Sequence, residues 1–577
     1  MKKIVKLDVL TGLFLNVLHK GEEAILYNRN LERVFIELEK ARLFYWVNTY
    51  CTLNLYFTWF ISLKPISFKG WWLPPKRVYS IIDEALEKCG LSREDNFDSV
   101  VAIWATPKYY EVPDPIGRVW GPGGTVLRYS SFQIDGALTW LFVHEFHHQL
   151  DEFLNLSGYP EYPHADYPQK LEGFFGEHFD FNAYILRSWP SDKWLDLRYP
   201  HPEIIEVKDA DNDGIPDENP YVPIDEMRFG SNPGSRDTDG DGLDDLSELM
   251  AGIYFSSNPR DPDTDKDGIP DGLDEYPLYP VKTTIKRKWT LLSDGFMMHR
   301  NFWINPVIYA KWSKNALYLR FLTNNKAKIF IYIDANADGW FHGKDNYEII
   351  INPASEKKVD KIHVLDCTNK VIWDDDPKYG KDRLVTESDV KVKVAYPVIG
   401  KYSYKIDVEI KKNRKTGLIP SLGKYLGLRI EFRMNEKWAS LIERYRFIRV
   451  KLVDREKKMV ADKIRFIKYV PPPYIYLKTY LKKTNREEAI FKTTIKNYGS
   501  KARDIRADIY LNTNTEQYVK NITIDSLEHR ELIAIESKIK LTDNLTYVKP
   551  EYRVNYRGKN GLRFEKSYRD SFFVIFI

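Results

Sequence analysis

The sequence predicts a multidomain chain: an α+β N-terminal domain, a spacer of acidic loops, and two all-β sandwich domains. Three observations predict it. Helical and strand-like apolar patterns alternate up to residue 205. From Lys208 the composition turns abruptly to Asp and Gly. After Pro280, period-two alternation with turn punctuation takes over. At 577 residues and 43% hydrophobic content the chain has room for several cores. The expected boundaries are 1–205, 206–280, 281–469 and 474–577, with Val470-Pro-Pro-Pro473 as a stiff linker before the last.

Bulk charge excludes one class of partner. With 86 basic and 82 acidic residues the net charge is +4, and no basic stripe points to nucleic acid. Three cysteines, Cys51, Cys89 and Cys367, make no disulfide framework, although Cys51 and Cys89 can pair if the chain is exported. The uncharged stretch Phe44–Leu63 has the length of a membrane span. Asn48, Thr49, Asn54 and Thr58 interrupt it, and Leu53, Leu55, Phe57, Trp59 and Ile61 alternate as in a strand, so no transmembrane helix is expected. Near the N-terminus, Lys2, Lys3 and Lys6 precede the apolar run Val9–Leu18, with Asp8 among them and no small-residue cleavage site after it. A clean secretory signal is absent.

The first domain is read in order. Residues 22–43 carry a helical pattern, the alternating strand follows, and Trp71–Pro75 reads as a loop. Val78–Lys88 is a short amphipathic helix and Ser99–Trp104 a buried strand. Glycines 121, 123 and 124 turn the chain into a further strand, Thr125–Tyr129, expected to be a sheet edge that pairs with an extended peptide. A second helix then runs through Leu138, Leu141, Phe142, Phe146, Leu150, Phe153 and Leu154, with Asp135 as N-cap and Gly158 and Pro160 as its stop. It contains His144-Glu145-Phe146-His147-His148, a His-Glu-x-x-His motif. Histidines four apart lie on one helix face and can share one zinc, with Glu145 placed to take a proton from water at the metal.

At these residues the chain resembles the zincin metallopeptidases over roughly its first 200 residues. That resemblance implies a zinc cofactor, peptide hydrolysis and Glu145 as general base. Gln149, Leu150 and Asp151 follow His148, so the metzincin continuation is excluded. Gluzincins draw a third ligand from a later helix. Here that residue is Glu177, with Asp180 one turn on, and His164, Asp166, His178 and Asp180 are alternatives.

The acidic segment repeats one pattern three times. Asp209, Asp211, Asp213 and Asp217 form the first loop. Asp237, Asp239, Asp241, Leu243 and Glu248 form the second, and Asp263, Asp265, Asp267, Ile269 and Asp274 the third. Carboxylates at positions one, three and five, glycine at six, a carbonyl at seven and an acid at twelve are what calcium requires. The first loop has Pro220 at position twelve, so Glu218 or Asn219 must substitute there, or the geometry differs. With connectors Ser231-Asn232-Pro233 and Ser257-Asn258-Pro259 the segment resembles thrombospondin type 3 repeats, which implies calcium as a second cofactor. Loops of that class suit the calcium-rich exterior of a cell.

Residues 285–468 resemble family-nine carbohydrate-binding modules at Trp312–Leu319 and Asp334–Glu348, implying a sandwich that binds polysaccharide or cell-wall glycan. Trp303, Trp312 and Trp340 are stacking candidates or core. Asp334, Asn336, Asp338 and Asp345 offer a fourth calcium loop or a hairpin turn. The last hundred residues resemble an immunoglobulin-like sandwich, clearest at Ile490–Ser500. The expected function is a secreted or cell-surface zinc metallopeptidase acting on protein or peptide. The alternatives are a non-enzymatic, calcium-dependent adhesion or carbohydrate-binding protein, and a zinc hydrolase of non-peptide substrates.

Overall fold

The computed structural model describes the chain outside residues 26–27, 71, 106–115, 122, 130–136, 164–177, 253–255, 265–268, 275–276, 278–282, 294–296, 300–301, 305, 324–326, 336–345, 354–358, 367–382, 385–389, 396–403, 412–424, 435–436, 441–447, 453–466 and 544. It divides into two units. One comprises 1–167, 182–262 and 465–577; the other comprises 168–181 and 263–464.

The first unit is built on β1 (Lys2–Phe14). Further elements of its head include α1 (Asn28–Asn48), β2 (Leu53–Ser62), α2 (Pro75–Lys88), β3 (Ser99–Ala105), β4 (Ile116–Gly121), β5 (Gly124–Tyr129), α3 (Ala137–Leu156) and β6 (Glu203–Val207). The basic and apolar N-terminal run is thus the central strand. β1 pairs in parallel with β2 and β3, from Val5 opposite Leu53 and from Val9 opposite Ser99. β5 continues the sheet parallel to β3, and β4 closes its flank antiparallel to β5.

Alternation along these strands splits the apolar residues between two faces. Leu10, Phe14, Val100, Ala102 and Trp104 pack under α2 through Val78, Ile82 and Leu86. The opposite face carries Phe57 and Trp59, which meet Phe142 of α3 and Phe35 of α1 at ring distances of 5.6 and 4.5 Å. The uncharged stretch Phe44–Leu63 is the end of α1, a turn and β2, and no described helix is long and apolar enough to cross a membrane. Cys51 and Cys89 are free thiols, and burial pushes the Cys51 thiol up to about 12.

Residues 474–577, read separately in the sequence, share this sheet. Their sandwich sets Ile475–Thr484, Glu488–Asn497 and Leu532–Lys540 against Gln517–Leu527, Ala502–Thr513, β7 (Leu545–Arg557) and Arg563–Arg569. Alternation is strict along Glu488–Asn497, where every second residue is buried. The short strand β8 (Phe573–Phe576) then pairs antiparallel with β7 and parallel with β2, making one continuous sheet. All four of its side chains are buried, as a strand covered on both faces requires. Phe573 lies 5.9 Å from the Phe35 ring and 5.2 Å from Phe491. Phe573→Ala should therefore cost about 3–5 kcal/mol of unfolding free energy, read by urea denaturation of the full chain.

The second unit contains a β-sandwich. One sheet runs Thr283–Ile285, Ile448–Leu452, Tyr425–Met434, Lys328–Asp334, Asn346–Pro353, Val359–Asp366, Arg383–Leu384. The other runs Thr290–Ser293, Val307–Trp312, Ala316–Thr323, Tyr404–Lys411, Val390–Ala395. Ile329, Ile331, Ile349, Ile351, Leu319 and Phe321 fill the space between them. The two all-β sandwiches anticipated from period-two patterning are both present.

Candidate metal centres

The histidine helix forms where its apolar stripe predicts. Leu138, Leu141, Phe142, Phe146, Leu150, Phe153 and Leu154 are all buried, and the helix ends before Gly158, whose φ is 101°. Asp135, expected to cap it, lies outside the described residues. A cap comes from α1: the buried Glu37 carboxylate accepts from the amides of Leu138 at 2.9 Å and Thr139 at 3.3 Å. An anion at a helix N-terminus also opposes the positive end of the helix dipole.

Three further contacts fix the helix's rotation. Tyr45 Oη donates to the Val143 carbonyl at 2.6 Å. Gln149, fully buried, bonds Ser99 of β3 and Thr125 of β5, pinning the helix to the sheet. His147 pairs through Nε2 with Tyr162 Oη at 3.0 Å, and the two rings stack. Burial holds the Tyr45 and Tyr162 phenols well above their ordinary range, so both stay protonated and able to donate. The sequence reading missed Glu37, Gln149 and Tyr162.

With His147 turned to Tyr162, His144 and His148 share another face. Their ring centroids lie 5.0 Å apart at an interplanar angle of 86°. Two imidazoles on one tetrahedral zinc, each with nitrogen at about 2 Å, have centroids roughly 5 Å apart, so the pair fits that ion. Glu145, adjacent in sequence, is buried. Of the third-ligand candidates, Glu177, His164 and Asp166 lie outside the described residues. His178 and Asp180 fall in the first turn of the helix His178–Ser188, whose backbone alone is described there.

The strand Thr125–Tyr129 is not an edge. β5 is paired on one side with β3 and on the other with β4, so Ile116–Gly121 forms the flank of the sheet, and α3 packs against β4 and β5. The intervening glycine turn folds β4 back over β5, which a local reading of the Thr125 strand could not show.

The acidic loops converge as their spacing predicts. Carboxylate oxygens of Asp209, Asp211 and Asp213 lie within 4.8 Å of one another, and so do those of Asp237, Asp239 and Asp241. Backbone amides orient them: Asp211 accepts from Asp213 at 3.0 Å, Asp213 from Ile215 at 2.7 Å and Asp241 from Leu243 at 2.8 Å. The position-six glycines, Gly214 and Gly242, have φ of 108° and 102°, a conformation side chains resist. At position nine, Asp217, Asp245 and Asp271 each accept the position-two amide of their own loop, at 2.7, 3.0 and 2.8 Å. Asp217 also pairs with Lys208 at 2.7 Å. In the third loop Asp265 and Asp267 lie outside the described residues, while Asp263, Ile269 and Asp274 are described.

At position twelve of the first loop the geometry differs, the second of the two outcomes that the sequence allows. Glu218 pairs with Lys566 at 2.9 Å, and Asn219 accepts the Tyr221 amide at 2.9 Å. Glu226, on the turn of helix Glu226–Phe229, comes in instead, with an oxygen within 4.8 Å of Asp213 and Asp245. The signal was present in the connectors. Ser231 donates to Glu226 Oε1 at 3.3 Å as Ser257 donates to Glu248 Oε1 at 3.2 Å. Residues inserted after Asp217 displace the acid from its usual spacing.

Burial shapes the electrostatics. It pushes Asp213 up to about 7, with Asp211 and Asp209 adding to the rise and the Ile215 amide opposing it. Burial, then Asp213, Asp211, Asp217 and Asp245, pushes Glu226 up to about 10. Burial pushes Asp245 up to about 8 against two bonds from Thr238, and burial with Asp239, Asp245 and Asp241 pushes Glu248 up to about 10. Such a set needs countercharge, which a hard divalent cation with oxygen ligands would supply.

The first two loops are also welded to the head. Ile215, Val222 and Leu249 share a core with Ile4, Trp46 and Val207. Trp46 Nε1 donates to the Ile224 carbonyl at 3.0 Å, and Arg187 to those of Met250 and Gly252 at 3.0 and 2.7 Å. In the second unit, Asp334 and Asn346 are paired across two antiparallel strands. Asn336, Asp338 and Asp345 lie outside the described residues, as do Trp340 and the Trp303 side chain. Trp312 is core.

No protein-family model matches the chain, and no curated protein matches it significantly. Among solved structures, a family 9 carbohydrate-binding module from Caldicellulosiruptor kristjanssonii in complex with cellotriose is 13% identical, over 30% of this chain and 87% of the module, at a TM-score of 0.20. The putative ApaA protein of Bordetella pertussis is 17% identical over 19% of this chain and 98% of its own, at 0.15. Red sea bream transglutaminase is 5% identical over 46% and 31%, at 0.12. Scores this low carry no argument for this chain.

Proposed function

We propose that the chain is a zinc-dependent peptidase of the cell exterior or surface, whose head is a zincin-like domain stabilised by calcium. The observation that carries the reading is the His144–His148 pair, side by side on a helix anchored through Gln149, Tyr45 and Glu37. His144 and His148 would hold the zinc, with a third ligand from among Glu177, His164, Asp166, His178 and Asp180. When bound, zinc polarises the scissile carbonyl and makes water acidic enough to be deprotonated near neutral pH. Glu145 takes that proton and passes it to the leaving amine. The flank strand Ile116–Gly121, beside α3, offers its unpaired edge to an extended peptide. Calcium in the acidic loops suits the millimolar levels found outside cells.

Metal analysis of protein dialysed free of calcium tests this. One tightly held zinc per chain, lost in His148→Ala together with casein hydrolysis, is expected. A chain without zinc that still adheres to polysaccharide or cell surfaces would instead be the adhesion protein.

A further inference from the structure

The geometry points to one divalent cation held jointly by the first two acidic loops, with Glu226 and Asp245 as ligands beside Asp213. This rests on the calcium-loop reading above and deepens it.

Carboxylate oxygens of all three residues lie within 4.8 Å of one another, and all three side chains are buried. Glu226 is fully buried. Its Oε1 takes the Ser231 hydroxyl, while Oε2 has no hydrogen-bond partner. Asp213 repeats the arrangement: Oδ1 takes the Ile215 amide and Oδ2 has no partner. Each of these two buried carboxylates thus keeps one orphaned oxygen, within a cluster whose carboxylates converge to 4.8 Å.

Among the described residues, no cationic side chain hydrogen-bonds either orphaned oxygen. Lys2 Nζ donates to the carbonyls of Tyr50 and Gly214, at 2.7 and 2.6 Å. Arg228 is taken up by Asp225 and by the carbonyls of Asn219 and Val222. Three buried carboxylates offering oxygen ligands suit a hard ion of flexible coordination, which is calcium in preference to magnesium.

Asp245 belongs to the second loop. Among the described residues it is the position-nine acid that also reaches into a neighbouring loop's acids. The loops are close enough to demand it: a Cβ on Gly214 would stand 2.9 Å from Leu246 Cδ2. An ion seated at Asp213 and Glu226 therefore needs the second loop already folded against the first. The two loops should load together.

Native mass spectrometry of the full chain, with calcium alone as probe, tests the sharing. Glu226→Gln should lose one ion, and Asp245→Asn should lose that same ion. The double variant should then lose no more than Asp245→Asn by itself. Asp237→Asn combined with Glu226→Gln, which touch separate ions, should lose the sum of the two single losses. Additive losses for Glu226→Gln with Asp245→Asn, or no loss in Asp245→Asn, overturn the proposal. A wild-type chain that takes up no calcium overturns the calcium-loop reading itself. Should Asp245→Asn not fold, a crystal structure of the wild type with calcium decides. An ion at about 2.3–2.6 Å from oxygens of Asp213, Glu226 and Asp245 supports sharing, and an Asp245 oxygen beyond about 4 Å overturns it.

Discussion

Chelating calcium at pH 8 should lower the melting temperature of the head by on the order of 10 °C and reverse the sign of its pH dependence. The size follows from mass action. Each ion present at about a hundred times its dissociation constant stabilises the fold by about 2.7 kcal/mol. The loops share a core with Ile4 and Trp46, so that loss reaches the head. The sign follows from linkage. Without the ion, Asp213, Asp245, Glu226 and Glu248 are pushed up to about 7, 8, 10 and 10, against about 4 in an unfolded chain. Between those limits the folded state binds more protons than the unfolded state, so stability falls as pH rises. The chelated protein should be more stable at pH 5.5 than at pH 8. Calcium competes with the same protons, so its stabilisation should be largest at pH 8 and shrink towards pH 5. Glu226→Gln should raise the melting temperature of the chelated protein at pH 8 while weakening its response to calcium. Calorimetry at the two pH values, with and without calcium, measures all of this. Equal melting temperatures with and without calcium at pH 8 would refute it.

Glu145→Gln should reduce casein hydrolysis by about a hundred- to ten-thousandfold with zinc content unchanged. The amide keeps the shape of the buried side chain, so helix packing through Phe142 and Phe146 survives. It cannot accept a proton from water, so the loss should fall on kcat more than KM. His148→Ala should lose zinc and activity together, which separates holding the metal from moving the proton. A Glu145→Gln protein as fast as the wild type would remove Glu145 from the chemistry.

Legibility in the sequence followed locality. The stripe Leu138–Leu154, the alternation in Glu488–Asn497 and the first two Asp-x-Asp-x-Asp-Gly loops are periodic or fixed-spacing patterns, and each folds as read. Residues 22–25 were read as helix and form a short strand before α1, because four apolar and acidic residues carry no period. What stayed hidden was non-local. Glu37 caps a helix a hundred residues on, and Gln149 joins two strands that only the sheet brings together. Glu226 escaped because an insertion broke the spacing by which an acid at position twelve is recognised. The edge assignment failed because β4 folds back over Thr125–Tyr129, and pairing partners leave no mark in a single strand.

β8 lies between β7 and β2, far apart in sequence, and this has a consequence for biogenesis. A nascent chain can bring together β1, β2 and β3 early, but their flank stays open until Phe576 has emerged from the ribosome. Until then an apolar strand edge at β2 faces the surroundings, a template for misassembly that the cell must shield. Completion of the head thus waits for β8, the strand that seals the edge of β2.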